Sequence, residues 1–173
     1  AEAIRMIRAQ TDRGTLNLNT NGSLPGRVEQ IARAGLDSIR ISVNSVLGPT
    51  YTAYYQPRYY GWEDVRESIH RAKGLGLYTT INYLVFPGVT DREEELEALL
   101  HLVRETGLDM IQMRNLSIDP ELYLRTVPAT RSKCVGIRMV LRTIRRDFPN
   151  VEIGYFNRPK ELFGTCLCDA LVF

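Results

Sequence analysis

An α/β fold, in the form of an incomplete parallel (β/α) barrel of about five βα units, is what the 173-residue sequence predicts, on three observations. Segments with helical spacing of apolar residues alternate strictly with short strand-like segments, as parallel βαβ units do. The strand-like segments alternate in polarity, instead of running as the continuous hydrophobic stretches expected of a sheet covered on both faces. Two connections, 45–61 and 117–133, far exceed the few residues usual in such units, and each follows a strand and precedes a helix. They therefore belong at the carboxyl ends of the strands, where α/β proteins bind ligands.

The elements follow in order. The chain opens on a helical pattern, with Ala3, Ile4, Met6 and Ile7 on an apolar side, Arg5 and Arg8 on a wet one, and Gly14 as a stop. "TLNLNTNG" (15–22) is a strand despite its asparagines, because its period is two. Ser23 and Pro25 start a second helix with Val28, Ile31, Ala32 and Leu36 at helical spacing and Gly35 near its end. "DSIRISVNS" (37–45) is the second strand. A third helix runs from Trp62, buries Val65, Ile69 and Ala72, and closes at Gly74 or Gly76; the strand "YTTINYLVF" follows. Thr90 and Glu93 predict a capping box for a fourth helix that buries Leu96, Leu99, Leu100 and Val103 and ends at Gly107. After the strand "DMIQMRNL" (109–116), a fifth helix is expected from about Val135 to Phe148, with Pro149 ending it and "VEIGYF" as a last strand. The expectation is a single domain over 1–173, with barrel units over 1–121 and a loop, helix and strand over 122–173.

Each strand has two faces. Ile39, Ile41 and Val43 oppose Arg40, Ser42 and Asn44; Ile81, Tyr83 and Val85 oppose Thr80, Asn82, Leu84 and Phe86; Ile111 and Met113 oppose Met110, Gln112 and Arg114. Leu16 and Leu18 likewise oppose Asn17, Asn19 and Asn21. If helices cover the apolar face of a curled sheet, the polar face lines a ligand cavity; if the sheet stays open, that face is simply solvated.

Composition narrows the function classes. Hydrophobic residues make up 44% and charged residues 24%, ordinary for a globular domain able to bury its own core. No run suits a bilayer crossing, the first residues do not read as a signal peptide, and the expected location is cytoplasmic. A net charge of +2 gives no reason to expect nucleic acid as a partner. His70, His101, Cys134, Cys166 and Cys168 form no zinc spacing. Cys166-x-Cys168 reads as free structural thiols, metal ligation being the poorer alternative because two ligands do not complete a site.

"NTNG" (19–22), "GLDSIRISVNS" (35–45), "INYLVFPGVTDREEE" (81–95) and "DMIQMRNLSIDPE" (109–121) resemble the third to sixth barrel strands, with their trailing loops, of the radical S-adenosylmethionine (SAM) enzyme superfamily. The resemblance covers the chain up to about Glu121 and rests on order and spacing. It implies a partial TIM-like barrel holding SAM across its upper rim. In the full-length protein it implies a [4Fe-4S] cluster that cleaves SAM reductively, so that hydrogen is taken from an unknown substrate. The family's CxxxCxxC cluster loop is absent from the sequence, so the chain is expected to be a carboxyl-terminal portion, without cluster ligands and inactive alone.

The resemblance also implies roles. Asn19 and Asn21 fall where the SAM amino or carboxylate group, or the substrate, is approached; Ser42 and Asn44 fall near the ribose and methionine part, and Arg40 faces a carboxylate. Asn82, Leu84, Phe86 and Gly88 match the segment supporting adenine, and Gln112, Arg114, Asn115 and Leu116 match the strand end that contacts it. The plainer expectation for Arg40 and Arg114 is pairing with a carboxylate such as Asp37 or Asp109. "YTAYYQPRYYGW" (51–62) reads as a short helix packed on the barrel or as an aromatic substrate platform. Two other functions compete. An aldolase-type barrel needs an inward lysine, which Lys73, Lys133 and Lys160 do not supply; an RNA- or small-ligand-binding module needs no catalytic group. The strand at 15–21 is expected to be an edge through which isolated chains self-associate.

Overall fold

Five strands, β1 (Asn17–Thr20), β2 (Ser38–Val43), β3 (Tyr78–Val85), β4 (Met110–Asn115) and β5 (Glu152–Gly154), form one all-parallel sheet in the order β1-β2-β3-β4-β5. The computed structural model describes residues 1–154 and 157–165, so the expected strand residues Tyr155 and Phe156, and Cys166 and Cys168, lie outside the described residues. A strand order without reversal brings every crossover to the same face. Helices α2 (Pro25–Arg33), α4 (Trp62–Gly74), α5 (Glu93–Thr106) and α7 (Ile137–Asp147) accordingly share one core with Ile39, Ile41, Val43, Ile81, Tyr83 and Ile111. Fully buried Ile41, Ile69, Ile81, Leu99 and Ile144 anchor it, each aliphatic side chain contributing about 1.5–3 kcal/mol relative to exposure. Both long connections contain helices, α3 (Gly48–Tyr55) and α6 (Pro120–Thr126).

Several expectations change in detail. Helix α1 (Glu2–Gln10) ends before Gly14, and its apolar side is largely open, with Met6 66% and Ile7 45% exposed. It is tied down through polar contacts instead: the Arg8 Nε donates to the Gly35 carbonyl at 2.9 Å, and the guanidinium pairs with Asp37. The Thr90–Glu93 capping box does not form. Arg92 is the N-cap of α5, and the Thr90 Oγ1 accepts from the Phe86 amide at 2.8 Å, closing a turn before the helix. The Asp side chain that serves a helix start in this way is Asp64, which accepts from the Gly61 amide at 2.8 Å. Asp37 and Asp109 pair with Arg8 and Lys73, correcting the expected pairing with Arg40 or Arg114. No helix among the described residues is long and apolar enough to cross a membrane.

Candidate functional site

Parallel register sorts the residues opposite the helices into rows. Asn19 stands beside Arg40, Arg40 beside Thr80 and Thr80 beside Met110. One step toward the carboxyl ends, Ser42 stands beside Asn82 and Asn82 beside Gln112; the next row pairs Leu84 with Arg114. This follows from the period-two pattern, since in-register strands with the same alternation must stack like on like. Within the middle row the Asn82 amide donates to the Ser42 hydroxyl at 3.2 Å, and Gln112 is 3% exposed.

The row that leads to the mouth is more occupied. Asn44 is fully buried and its Nδ2 donates to the Tyr123 hydroxyl at 3.2 Å and the Thr50 carbonyl at 3.4 Å, joining β2 to α6 and α3. Phe86 and Leu116 pack with Tyr123, Val89 and Val127 in a separate apolar cluster, the Phe86 and Tyr123 rings 4.7 Å apart. Burial raises the Tyr123 hydroxyl above its ordinary pKa, against the opposing bond from Asn44. Gly88 takes φ +90°, which favours glycine, and its amide donates to Asp91 at 2.6 Å. At the rim Asn21 is exposed and donates to the Tyr60 hydroxyl at 3.4 Å; Arg114 and Asn115 are also exposed, on the opposite side of β3. The structure therefore brings Asn19, Arg40, Ser42, Asn82 and Gln112 together on the sheet, and moves Asn44, Phe86 and Leu116 under Tyr123.

Two features escape sequence reasoning. First, residues 157–163 cross the polar face at the amino ends of the strands: Arg40 bonds Asn157, Arg158 pairs with Glu152, the Lys160 amide donates to Thr15 at 2.7 Å, and Phe163 stacks on Tyr78 at 4.2 Å. A cavity of about 310 Å³ lies beneath this segment, with Asn17, Ser38, Thr80 and Met110 in its wall. Burial pushes the Tyr78 hydroxyl up to about 12, partly countered by Arg158. Nothing in the run "NRPKELF" marks it as a floor.

Second, Glu95 is 1% exposed although it belongs to a run of three glutamates. Its Oε1 accepts from the Tyr83 hydroxyl at 2.6 Å and the Val46 amide at 2.7 Å, and its Oε2 from the Ser45 hydroxyl at 2.5 Å. Burial raises its pKa, while these donors and Arg92 act the other way. The signal available was spacing: Glu95 lies four residues before Leu99 and seven before Leu102, on the buried side of α5.

The family described as the radical SAM superfamily matches residues 1–129 of the chain. No curated protein matches it. Among solved structures, a domain of pyruvate-formate lyase-activating enzyme from Bacteroides vulgatus superposes with a TM-score of 0.62 at 10% identity, covering 90% of this chain and 88% of that one. A radical SAM methyltransferase from Sphaerobacter thermophilus gives 0.53 at 15% identity, covering 87% of this chain and 42% of that one. SuiB from Streptococcus suis bound to S-adenosylmethionine gives 0.55 at 13% identity, covering 82% and 32%. The chain thus spans less than half of the last two proteins, and likeness at these identities concerns the fold. With a match over residues 1–129, well beyond half its length, the chain belongs to the radical SAM superfamily.

Proposed function

We propose that this chain supplies the SAM- and substrate-binding strands of a radical SAM enzyme, and that SAM lies along the carboxyl-end rows of the polar face. The observation that carries this reading is a pair of buried amide oxygens, Asn44 Oδ1 and Asn82 Oδ1, that accept no hydrogen bond from any described residue. A buried acceptor left unmet costs about 1–3 kcal/mol, so such atoms persist where a ligand provides the donor. SAM carries suitable donors in its ammonium group and ribose hydroxyls. What SAM supplies when bound is a sulfonium carbon–sulfur bond that an added electron cleaves.

The chain's own residues do the holding. Ser42 fixes the Asn82 amide by accepting from its nitrogen, which leaves the oxygen as an acceptor without a donor among the described residues. Asn44 is held in the same way by Tyr123 and Thr50. Phe86, Leu84 and Leu116 offer apolar surface for adenine, while Asn19, Asn21, Gly88, Gln112 and Asn115 border the same end of the sheet. Arg114, in the row of Leu84, adds a cationic head at the carboxyl end, suited to a carboxylate, whereas the Arg40 head bonds Asn157 at the amino-end floor. The apolar cluster of Phe86, Leu116, Tyr123, Val89 and Val127 at that end would shield a bound ligand from water.

A [4Fe-4S] cluster finds no set of ligands among the described residues. No group of three or more His, Cys, Asp or Glu able to hold a metal occurs among the described residues, and Cys134 is exposed. Reductive SAM cleavage and hydrogen abstraction belong to the proposal for the full-length protein, as does a cytoplasmic setting.

Equilibrium dialysis with SAM tests the reading directly. Saturable binding by the 173-residue chain, weakened about tenfold by Asn82→Ala, is the expected result, one charge-assisted hydrogen bond being worth about 1.4 kcal/mol. Absence of binding at millimolar SAM would remove the proposal for this chain. Strongly salt-dependent RNA binding in its place would favour the nonenzymatic module.

A further inference from the structure

We infer that Glu95 is a positioning residue for the carboxyl-end side of the polar face: reaching from α5, its carboxylate fixes the Ser45–Leu47 turn, which carries Asn44 on one side and the aromatic helix α3 on the other. The inference rests on the function proposed above only for what that face binds.

Ser45 and Val46 immediately follow Asn44, and both are buried. The Ser45 hydroxyl donates to Glu95 at 2.5 Å and accepts from the Leu47 amide at 3.0 Å, so one carboxylate organises three successive residues. Tyr83, donating to the same carboxylate from β3, sets where Glu95 itself stands. Beyond the turn, Trp62 packs against Gly48, where an added Cβ would lie 3.8 Å from the Trp62 side chain, and Tyr51 lies 5.4 Å from the Trp62 ring. Val46 and Trp62 also line one small cavity of about 100 Å³.

An ionised carboxylate suits this role because it only accepts, and three donors converge on it. A glutamine would aim its own N–H₂ at one of those donors. The charged and titratable groups around Glu95 are Arg92 at the start of α5, Tyr83 on β3 and Tyr123 on α6. Inside the protein no water competes for these bonds, so losing the acceptor leaves the Val46 amide and Ser45 hydroxyl to find other partners by moving the turn.

Trp62 is the sole tryptophan, and its fluorescence reads this region without any ligand. Three variants of the 173-residue chain are compared with the parent: Glu95→Gln, the milder Ser45→Ala, and Ile144→Val as a core control on α7. Acrylamide quenching of Trp62 should rise in the first two and stay at the parent value in the third, although all three lower Tm. SAM affinity should fall about tenfold in Glu95→Gln, the loss of about one charge-assisted bond, and stay unchanged in Ile144→Val. The double variant Glu95→Gln/Ser45→Ala should show less than the sum of the two single effects on quenching and Tm, because they remove the same bond. Unchanged quenching in both turn variants, or additive effects in the double variant, overturns the inference. If the parent binds no SAM, the function proposed above fails, while the quenching and the double variant still decide the role of Glu95. If Glu95→Gln does not fold, Ser45→Ala alone decides by the same quenching readout.

Discussion

The two ends of the sheet handle hydrogen bonding differently. At the amino ends, "GLD" occurs twice, at 35–37 and 107–109, and makes the same joint both times. Gly35 and Gly107 take φ +100° and +63°, Leu36 and Leu108 are buried, and Asp37 and Asp109 lock onto a neighbouring segment. The Asp37 amide donates to the Leu16 carbonyl at 3.1 Å while its carboxylate accepts from the Leu16 amide at 2.5 Å and pairs with Arg8 of α1. The Asp109 amide donates to the Thr79 carbonyl at 2.8 Å while its carboxylate accepts from the Thr79 amide at 2.8 Å and pairs with Lys73 of α4 at 2.5 Å. Between them, at the β2–β3 joint, Tyr78 occupies the corresponding place and reaches Glu152 instead. At the carboxyl ends the comparable polar side chains, Asn44 and Asn82, keep one oxygen without a donor among the described residues. The reciprocal aspartate joints build the frame, although Arg8 keeps one buried Nη1 without a partner among the described residues; the unmet acceptors at the other end have structural cost and are where a ligand is to be sought.

The largest effect expected from this contrast is at the joints. Asp37→Ala and Asp109→Ala each remove the acceptor of a backbone N–H and the partner of a cation, and each should cost about 3 kcal/mol in urea unfolding. The joints share no partner, so the double variant should lose close to the sum. A loss below about 1 kcal/mol at either site would break the equivalence of the two joints.

Asn82→Ala should reverse that pattern, with stability within about 1 kcal/mol of the parent and SAM affinity about tenfold weaker. The oxygen removed has no partner to lose among the described residues, whereas the amide loses only its bond to Ser42. Paired urea unfolding and dialysis on one sample check this. A destabilisation as large as at the aspartates, with affinity intact, would make Asn82 part of the frame.

The frame was legible in sequence because it depends on local regularities. Period-two alternation in "RISVN" and "TINYLV" put Arg40, Ser42 and Asn82 on one face, and the glycines and leucines at 35–36 and 107–108 marked where helices stop and strands begin. Contacts distant along the chain were not legible. Arg8 and Asp37 are 29 residues apart and Lys73 and Asp109 are 36 apart, so the two aspartates offered as examples of a partner for Arg40 or Arg114 are taken by other cations. Thr90 failed as a cap because a serine-like hydroxyl can bond backward to a turn as readily as forward to a helix. The site was legible as a face and not as a mouth: that Tyr123 of α6 covers Asn44 and Phe86 required the third dimension.

Glu95 makes the contrast pH-dependent. Burial raises its pKa in the folded protein, so between the ordinary glutamate value and the raised one the folded state binds more protons than the unfolded state. Stability from this group is therefore complete below the ordinary value and is lost as pH rises through the raised one. The difference in unfolding free energy between the parent and Glu95→Gln should shift in favour of the parent as pH falls toward about 4, and be constant well above the raised value. Urea midpoints of both proteins across that range check the sign; a difference that moves the other way would mean that the three donors outweigh burial.

The smallest effect concerns the edge of the frame. Strand β1 pairs with β2 and with no other strand among the described residues. Beside it, Leu18, Val28, Ile31 and Ile39 line an apolar cavity of about 170 Å³, and Leu24 is 65% exposed. We propose that isolated chains associate here, and the size of the strand sets how weakly. Four residues of parallel edge offer two or three backbone bonds at roughly 1 kcal/mol each, which alone falls short of millimolar affinity. Sedimentation equilibrium should show the average mass rising only at high concentration, and Asn19→Lys, placing a charge on the exposed edge, should abolish the rise. A monomer at every concentration would mean that solvent satisfies β1 as well as a second strand does, leaving the reciprocal joints as the sole determinant of how far the sheet extends.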